Sequence, residues 1–352
     1  MRGFFLVKAY VDLFSNSVKI KSLIQKGEKM KKLLCLSALV TGLVQANELQ
    51  LSDLNYFQKQ SSVLLNSSIN STDAEARIIN DITNSSSYTD QKAEGRSWSN
   101  RLTYGVRDNL TIGLEFDYAL SYEVNQTTSS GNRGVPYDDA GFSDPKIGFG
   151  YRIQNQDIYI DLIGALVLKS GDKENGSAST TKSVDGNNKQ GHNSLELGIE
   201  FGKKIDRLEW RAGAGLDYGF SGSYKNLDED GGAPDSWDSE SYLNLNIFGQ
   251  LQYRLDQLAL GFGFAYTNYG DRSNTLVAGG TKEEAKFKSF STIVTSVTAR
   301  YDVSSQLVLN AGFGLLMEYD NDYTYFDGSS TSKGQVAGNK ASVVSIGATI
   351  LF

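Results

Sequence analysis

The chain is nearly devoid of cysteine and histidine, with one of each among 352 residues, Cys35 and His192. Cys35 lies in an apolar run near the N-terminus that is read below as a cleaved signal, so the mature chain has no thiol for a disulfide or a thiolate metal site. The sequence points to no metal and no cofactor. Also missing beyond that run is any apolar stretch near the ~18 residues a membrane helix needs, which excludes spanning by helices. No basic cluster interleaved with aromatics occurs either. With an acidic net charge, that excludes nucleic acid as a partner.

Residues 1–29 open apolar (Phe4, Phe5, Leu6, Val7) but are broken by Lys8, Asp12 and several lysines, and they are read as an upstream extension outside the fold. Met30-Lys31-Lys32 then begins a basic region followed by the apolar run Leu33 to Val44 and by Val44-Gln45-Ala46. That layout predicts a signal peptide over 30–46 with cleavage before Asn47, leaving 306 mature residues. The residues before Cys35 (Lys32, Leu33, Leu34) lack the small side chain of a lipoprotein signal, so lipidation is not expected. Removing residues 1–46 takes away eight Lys/Arg and two acids, which moves the formal charge from −7 to −13.

What the mature chain has in abundance is a repeat: an aromatic, a short polar turn, then alternating apolar residues. The phrases start at Tyr104, Tyr151, Phe201, Tyr253 and Tyr301, spaced 47, 50, 52 and 48 residues apart, and a further step of 51 lands on the last residue, Phe352. Within them the alternation is clean. Leu110, Ile112, Leu114, Phe116, Tyr118, Leu120, Tyr122 and Val124 share one phase, while Thr111, Gly113, Glu115, Asp117, Ala119, Ser121 and Glu123 share the other. The same dyad runs through 208–221 and 307–320. Segments this long match the ~9–11 residues of a membrane-crossing strand, whereas strands of a soluble sandwich average about 5–6. Turns of a few residues at one end and loops of fifteen to twenty-five at the other complete the pattern of a transmembrane barrel.

The expected fold is therefore all-β: an up-and-down antiparallel transmembrane barrel of about twelve strands in a Gram-negative outer membrane, spanning 58–352 after a periplasmic N-terminal segment at 47–57. The twelve crossings are placed at 58–70, 95–106, 110–124, 143–153, 158–170, 192–203, 208–222, 240–254, 258–269, 287–301, 307–320 and 341–352. An even count puts both termini in the periplasm, and hydrocarbon requires the first strand to pair with the last. Tyr104, Tyr151, Phe201, Trp210, Tyr253, Tyr301 and Phe352 are expected at the interface near the short turns. Tyr122, Tyr218, Phe220, Tyr242, Tyr266 and Tyr319 are expected near the loops. The final strand, Val344 to Phe352, resembles the C-terminal signal of outer-membrane barrels, and the resemblance implies the barrel-assembly machinery as a partner beside membrane lipid and lipopolysaccharide.

Phase places Glu115, Asp117, Lys146, Arg152, Asp161, Glu196, Arg211, Asp217, Arg254, Arg300 and Glu318 toward the lumen as pore-lining candidates, with Lys169 and Glu200 beside them. Both signs are present. They either pair across and fill the lumen or border a narrow aqueous path. The stretch Gly141-Phe-Ser-Asp144-Pro-Lys-Ile-Gly148-Phe-Gly-Tyr151-Arg-Ile resembles the family called "MetA-pathway of phenol degradation" outer-membrane proteins, with Ser143 where glycine is usual and Pro145 after the aspartate. The resemblance implies a transporter, often associated with aromatic catabolism.

A hydrolase reading starts from His192-Asn193-Ser194, which has the His-x-Ser spacing of outer-membrane phospholipase A, itself a twelve-stranded barrel. That family turns both residues toward lipid; here Leu195, Leu197, Ile199 and Phe201 hold the outward phase, and Leu195-Glu196 stands where a glycine follows the motif. No catalytic residue is assigned. The acidic loop Asn226 to Glu240 is read as solvated, its spacing unlike a calcium loop. The expected role is a passive or selective channel for small solutes, hydrophobic or aromatic if the family likeness holds. A closed structural or surface-interaction barrel is the alternative.

Overall fold

The computed structural model describes residues 56–352, apart from 80, 83–86, 156–157, 176, 179–182, 227–234 and 279–280. The extension at 1–29, the signal at 30–46, nearly all of 47–57 and the centre of the acidic loop lie outside the described residues. Among the described residues there is no helix, and crossing falls to strands.

Twelve strands form a closed wall: β1 (Val63–Ile79), β2 (Tyr88–Arg107), β3 (Leu110–Thr128), β4 (Lys146–Asn155), β5 (Tyr159–Val167), β6 (Ser194–Ile205), β7 (Leu208–Gly219), β8 (Tyr242–Leu255), β9 (Leu258–Tyr269), β10 (Phe290–Asp302), β11 (Leu307–Glu318) and β12 (Thr331–Leu351). Each pairs antiparallel with its chain neighbour, and β12 pairs with β1 from Leu64↔Leu351 to Ile79↔Gln335. That last ladder removes the sheet edge, as the low-dielectric surroundings demand.

The ~50-residue period has a geometric cause. The leucine opening one hairpin pairs with the aromatic of the next: Leu110↔Tyr151, Leu208↔Tyr253 and Leu258↔Tyr301. Every aromatic therefore ends at the same level, beside the short turns, and the series closes where Phe352 donates to the Val63 carbonyl at 2.8 Å. Two of those turns place Asp206 and Asp256 at φ of 51° and 52°. A short carboxylate tolerates this left-handed conformation better than a bulky side chain.

Outward positions form the apolar band, from Ile112 and Leu114 on β3 to Leu243, Leu245 and Ile247 on β8 and Leu309 to Met317 on β11, all exposed. Such a surface far exceeds what a water-facing protein shows. Ile247 sits mid-band, paired with Ala214 and Tyr266. Ile247→Arg is expected to lower folding stability by about 2–4 kcal/mol in lipid vesicles. A urea midpoint that does not move would mean that this face does not meet lipid.

All twelve predicted crossings are present, with different limits. β1 runs on to Ile79 and β12 begins at Thr331, ten residues before its expected start, because β1, β2, β3 and β12 stand taller than the apolar band. Segments Gly222–Asn226, Asp235–Ser239, Arg272–Ala278, Thr281–Phe287 and Asn321–Phe326 pair edge to edge and carry the wall upward on the long-loop side. The phase of β3 is corrected. Arg96 faces Ser121 but Ser97 faces Ala119, so Leu120 is an extra residue in a β-bulge. Beyond it the phase inverts: Tyr122 and Val124 are buried in the lumen while Glu123 is exposed.

Candidate functional site

The lumen side of β4 to β7 holds an ionic knot at its short-turn end. Arg152 grips Asp161 with a two-pronged fork, Nε to Oδ1 at 2.7 Å and Nη2 to Oδ2 at 2.8 Å. Arg211 Nη2 reaches the same carboxylate at 3.1 Å and also contacts Glu200. All four side chains are buried, and their formal charges cancel. The Arg152 guanidinium lies over the rings of Tyr159 and Phe57, 4.6 and 4.7 Å from the centroids. Planar stacking of this kind suits arginine and not lysine.

Phe57 comes from the chain segment before β1. Its neighbour Gln58 is buried and donates to the carbonyls of Ser62 at 2.5 Å and Thr103 at 3.0 Å. The described end of the 47–57 segment, Tyr56 and Phe57, thus tucks into the short-turn mouth. Between it and the knot is a cavity of about 50 Å³, lined by Tyr56, Phe57, Arg101, Asp161 and Arg211 among others.

A second polar chain crosses higher up. Lys146 Nζ is 2.5 Å from Glu196, which lies opposite Asp217; Asn244 donates to Asp217 at 3.0 Å, and Arg272 donates to Asn244 at 3.0 Å while covering the Tyr242 ring at 4.0 Å. Arg254 and Asp302 pair at 2.6 Å, half-buried near the turns. Of the predicted pore-lining residues, Glu115, Lys146, Arg152, Asp161, Glu196, Arg211, Asp217 and Arg300 are buried within the barrel, and Asp117, Arg254 and Glu318 are half-buried. Lys169 is the exception: β5 ends at Val167, and Lys169 is exposed and paired with Asp172 at 3.0 Å.

An apolar track in the lumen is the feature the phase analysis missed. From Arg152, one register row runs through all twelve strands: Arg152↔Asp161↔Glu200↔Gly213↔Phe248↔Ala265↔Val294↔Leu316↔Ala341↔Ala74↔Ala93↔Val124, and then Tyr137. Strands of a closed barrel tilt, so a row perpendicular to them climbs as it goes round. It starts charged beside the turns and is apolar from Phe248 upward. Burial raises the phenol of Tyr137 well above its usual value, with Asp139 and Tyr122 adding to the shift.

The rings lie against glycines of the neighbouring strand. A Cβ on Gly213 would stand 2.6 Å from Phe248, and one on Gly95 would stand 2.7 Å from Tyr122; Gly219 under Tyr242 and Gly334 under Tyr323 repeat the arrangement. Glycine lets the rings flatten onto the wall. The sequence signal was present: Phe248 and Leu316 are apolar residues off the phase of their strands. Above the row, the loop segments bury Trp237 stacked on Tyr224 and Tyr269 stacked on Phe290 at 4.5 Å, with Phe287 and Tyr323. Trp237, expected in a solvated loop, is fully buried there.

The interface aromatics Tyr104, Tyr151, Phe201, Tyr253, Tyr301 and Phe352 are exposed on the outside, and Trp210 is half-buried. Near the loops, Tyr218, Phe220 and Tyr319 are exposed and Tyr266 half-buried, but Tyr122 and Tyr242 turn inward. His192 is no loose loop residue: it is buried, with Nε2 3.0 Å from the Tyr242 hydroxyl and 2.9 Å from Gln190. Asp144, in the family-like stretch, accepts from Ser170 N and Oγ and from Gln190 N, each at 2.7 Å, and from Gly191 N at 3.2 Å. It staples the 168–192 loop to the barrel rim. Among the described residues no group of three or more His, Cys, Asp or Glu side chains is placed to hold a metal.

The family description "TonB dependent receptor-like, beta-barrel" matches residues 44–345. The chain belongs to that family. This TonB dependent receptor-like barrel has an outer-membrane fold, and an outer membrane channel from Pseudomonas putida F1 shares it: 15% identity, 87% of this chain and 100% of that one, TM-score 0.52. The TodX monoaromatic hydrocarbon channel (11% identity, 90% and 97% coverage, TM-score 0.40) and the outer membrane protease OmpT of Escherichia coli (9%, 83% and 97%, TM-score 0.38) are more distant. No curated protein sequence matches the chain.

Proposed function

We propose that this barrel is a selective outer-membrane channel for small solutes with apolar surface. One observation carries the reading: the lumen-facing row from Phe248 to Tyr137, apolar over eight successive strands in a wall otherwise studded with charge. The likeness of residues 141–153 to the MetA-pathway proteins, and the channel described for the Pseudomonas putida structure, support the same role. Of the predicted pore-lining charges, Arg152, Asp161 and Arg211 then act with Glu200 as a foot that narrows the exit, with solutes passing between paired side chains instead of through a wide aqueous pore.

In this reading both termini are periplasmic, since Val63 and Phe352 meet at the short-turn end. Phe352, exposed beyond the last ladder, serves the assembly machinery, and the long-loop rim faces lipopolysaccharide. The decisive measurement is the initial uptake of labelled toluene by cells with intact lipopolysaccharide. Uptake is expected to be several-fold faster with the protein than without it, and to fall about tenfold in Val294→Asp, which puts a charge in the row. Equal rates with and without the protein would reject the channel. They would favour a closed barrel acting through its loops, a reading that the filled knot and the aromatic packing at the two ends of the lumen also fit.

A further inference from the structure

The apolar row is flanked by polar groups that the protein does not use. Two residues along the same strands stand Asn246 beside Phe248, Thr267 beside Ala265, Thr72 beside Ala74 and Gln91 beside Ala93. All four are buried, and among the described residues both amide atoms of Asn246 and of Gln91, and the hydroxyls of Thr72 and Thr267, lack a hydrogen-bond partner. Buried polar atoms are ordinarily paired, and leaving them unpaired is costly. Asn246, Thr267 and Gln91 stand on the long-loop side of the row, on β8, β9 and β2, and Thr72 of β1 stands on its short-turn side, opposite Gly95.

Two residues of strand span about 7 Å. That is about the distance from the middle of a small ring to the hydrogen-bond partner of a polar group on its edge. The charged side chains nearby have partners of their own: Lys146 with Glu196, Asp217 with Asn244, Glu318 with Asn339 at 2.7 Å. The unused capacity is therefore neutral, consisting of amide and hydroxyl groups that both donate and accept.

Building on the channel reading, we propose that the solute is an uncharged amphiphile: an apolar body lying on the row from Phe248 to Val124, with a hydroxyl, carbonyl or amide that bonds Asn246, Thr267 or Gln91 on the long-loop side of the row, or Thr72 on its short-turn side. Such a site discriminates in two directions. A pure hydrocarbon leaves the amides unpaired, and an ionised solute has to be stripped of water beside a track that offers no counter-charge.

The test is equilibrium dialysis of toluene, benzyl alcohol and benzoate against the barrel in lipid nanodiscs, with empty nanodiscs subtracted. The double variant Gln91→Met/Asn246→Leu is expected to weaken benzyl alcohol binding about tenfold and leave toluene binding unchanged. Thr72→Val/Thr267→Val, isosteric with the native pair, provides the same comparison should the first variant not fold. Benzoate is expected to be retained by none of them. Equal weakening of toluene and benzyl alcohol, no weakening of either, or tight benzoate binding would each overturn the assignment while leaving the channel standing. Failure of the native barrel to retain toluene or benzyl alcohol would overturn both.

Discussion

Arg211→Met is expected to destabilise the folded barrel by about 3–5 kcal/mol, read as a lower urea midpoint in lipid vesicles. The native arginine stands between two buried carboxylates, 3.1 Å from Asp161 and in contact with Glu200. Removing it leaves both acids to Arg152 in a site too dry to solvate the surplus charge. Asp161 and Glu200 face each other across the β5–β6 ladder, so their repulsion is added to the desolvation cost. Combining Arg211→Met with Glu200→Gln is expected to recover most of the loss, since the pair Arg152–Asp161 then balances alone. An unchanged midpoint in the single variant would mean that water reaches the knot freely, and the proposed narrow foot would have to be given up.

The double variant Glu123→Val/Val124→Glu, which would continue the phase of the lower half of β3 through the bulge, is expected to lose about as much. The bulge at Leu120 is what turns Tyr122, Val124, Gln126 and Thr128 inward and Glu123 and Asn125 outward. The exchange therefore drives a carboxylate into the apolar row at a cost on the order of 3–5 kcal/mol. It should give little of the compact species that runs faster than the heat-denatured chain on electrophoresis. Deleting Leu120, the extra residue, should leave the barrel folded, because Ala119 and Ser121 then oppose Ser97 and Arg96 in an unbroken ladder with every upper side chain on its present face. If the exchanged variant folds as well as the native chain, or the deletion does not fold, the bulge is not what sets the phase of β3.

The same bulge shows why reading phase along a strand has limited reach. Over Leu110 to Leu120 the alternation assigned inside and outside as the structure has them, with Ile112 and Leu114 out and Glu115 in. One inserted residue reversed the assignment for Tyr122 and Val124. Nothing local marks the insertion, because it exists only as a mismatch with β2, where Arg96 and Ser97 are adjacent and their partners are not. Lys169 failed for a related reason: the strand it was assigned to stops at Val167, where Asp144 draws the following loop inward. The inward phase of the ionic knot, by contrast, was legible, since Asp161, Glu200 and Arg211 lie well inside strands with unbroken ladders.

By itself the sequence determined the class of fold, the number of strands, the short-turn end and the aromatics beside it. Each follows from local periodicity: a two-residue phase, a ~50-residue hairpin length and turns of a few residues at one end only. Only the tertiary structure decided how the lumen is furnished. Which residues become neighbours around a barrel depends on the stagger accumulated over twelve ladders, and that sum has no signature in any one segment. It brings Phe248, Val294, Leu316 and Val124, spread over more than a hundred residues of chain, into one climbing row.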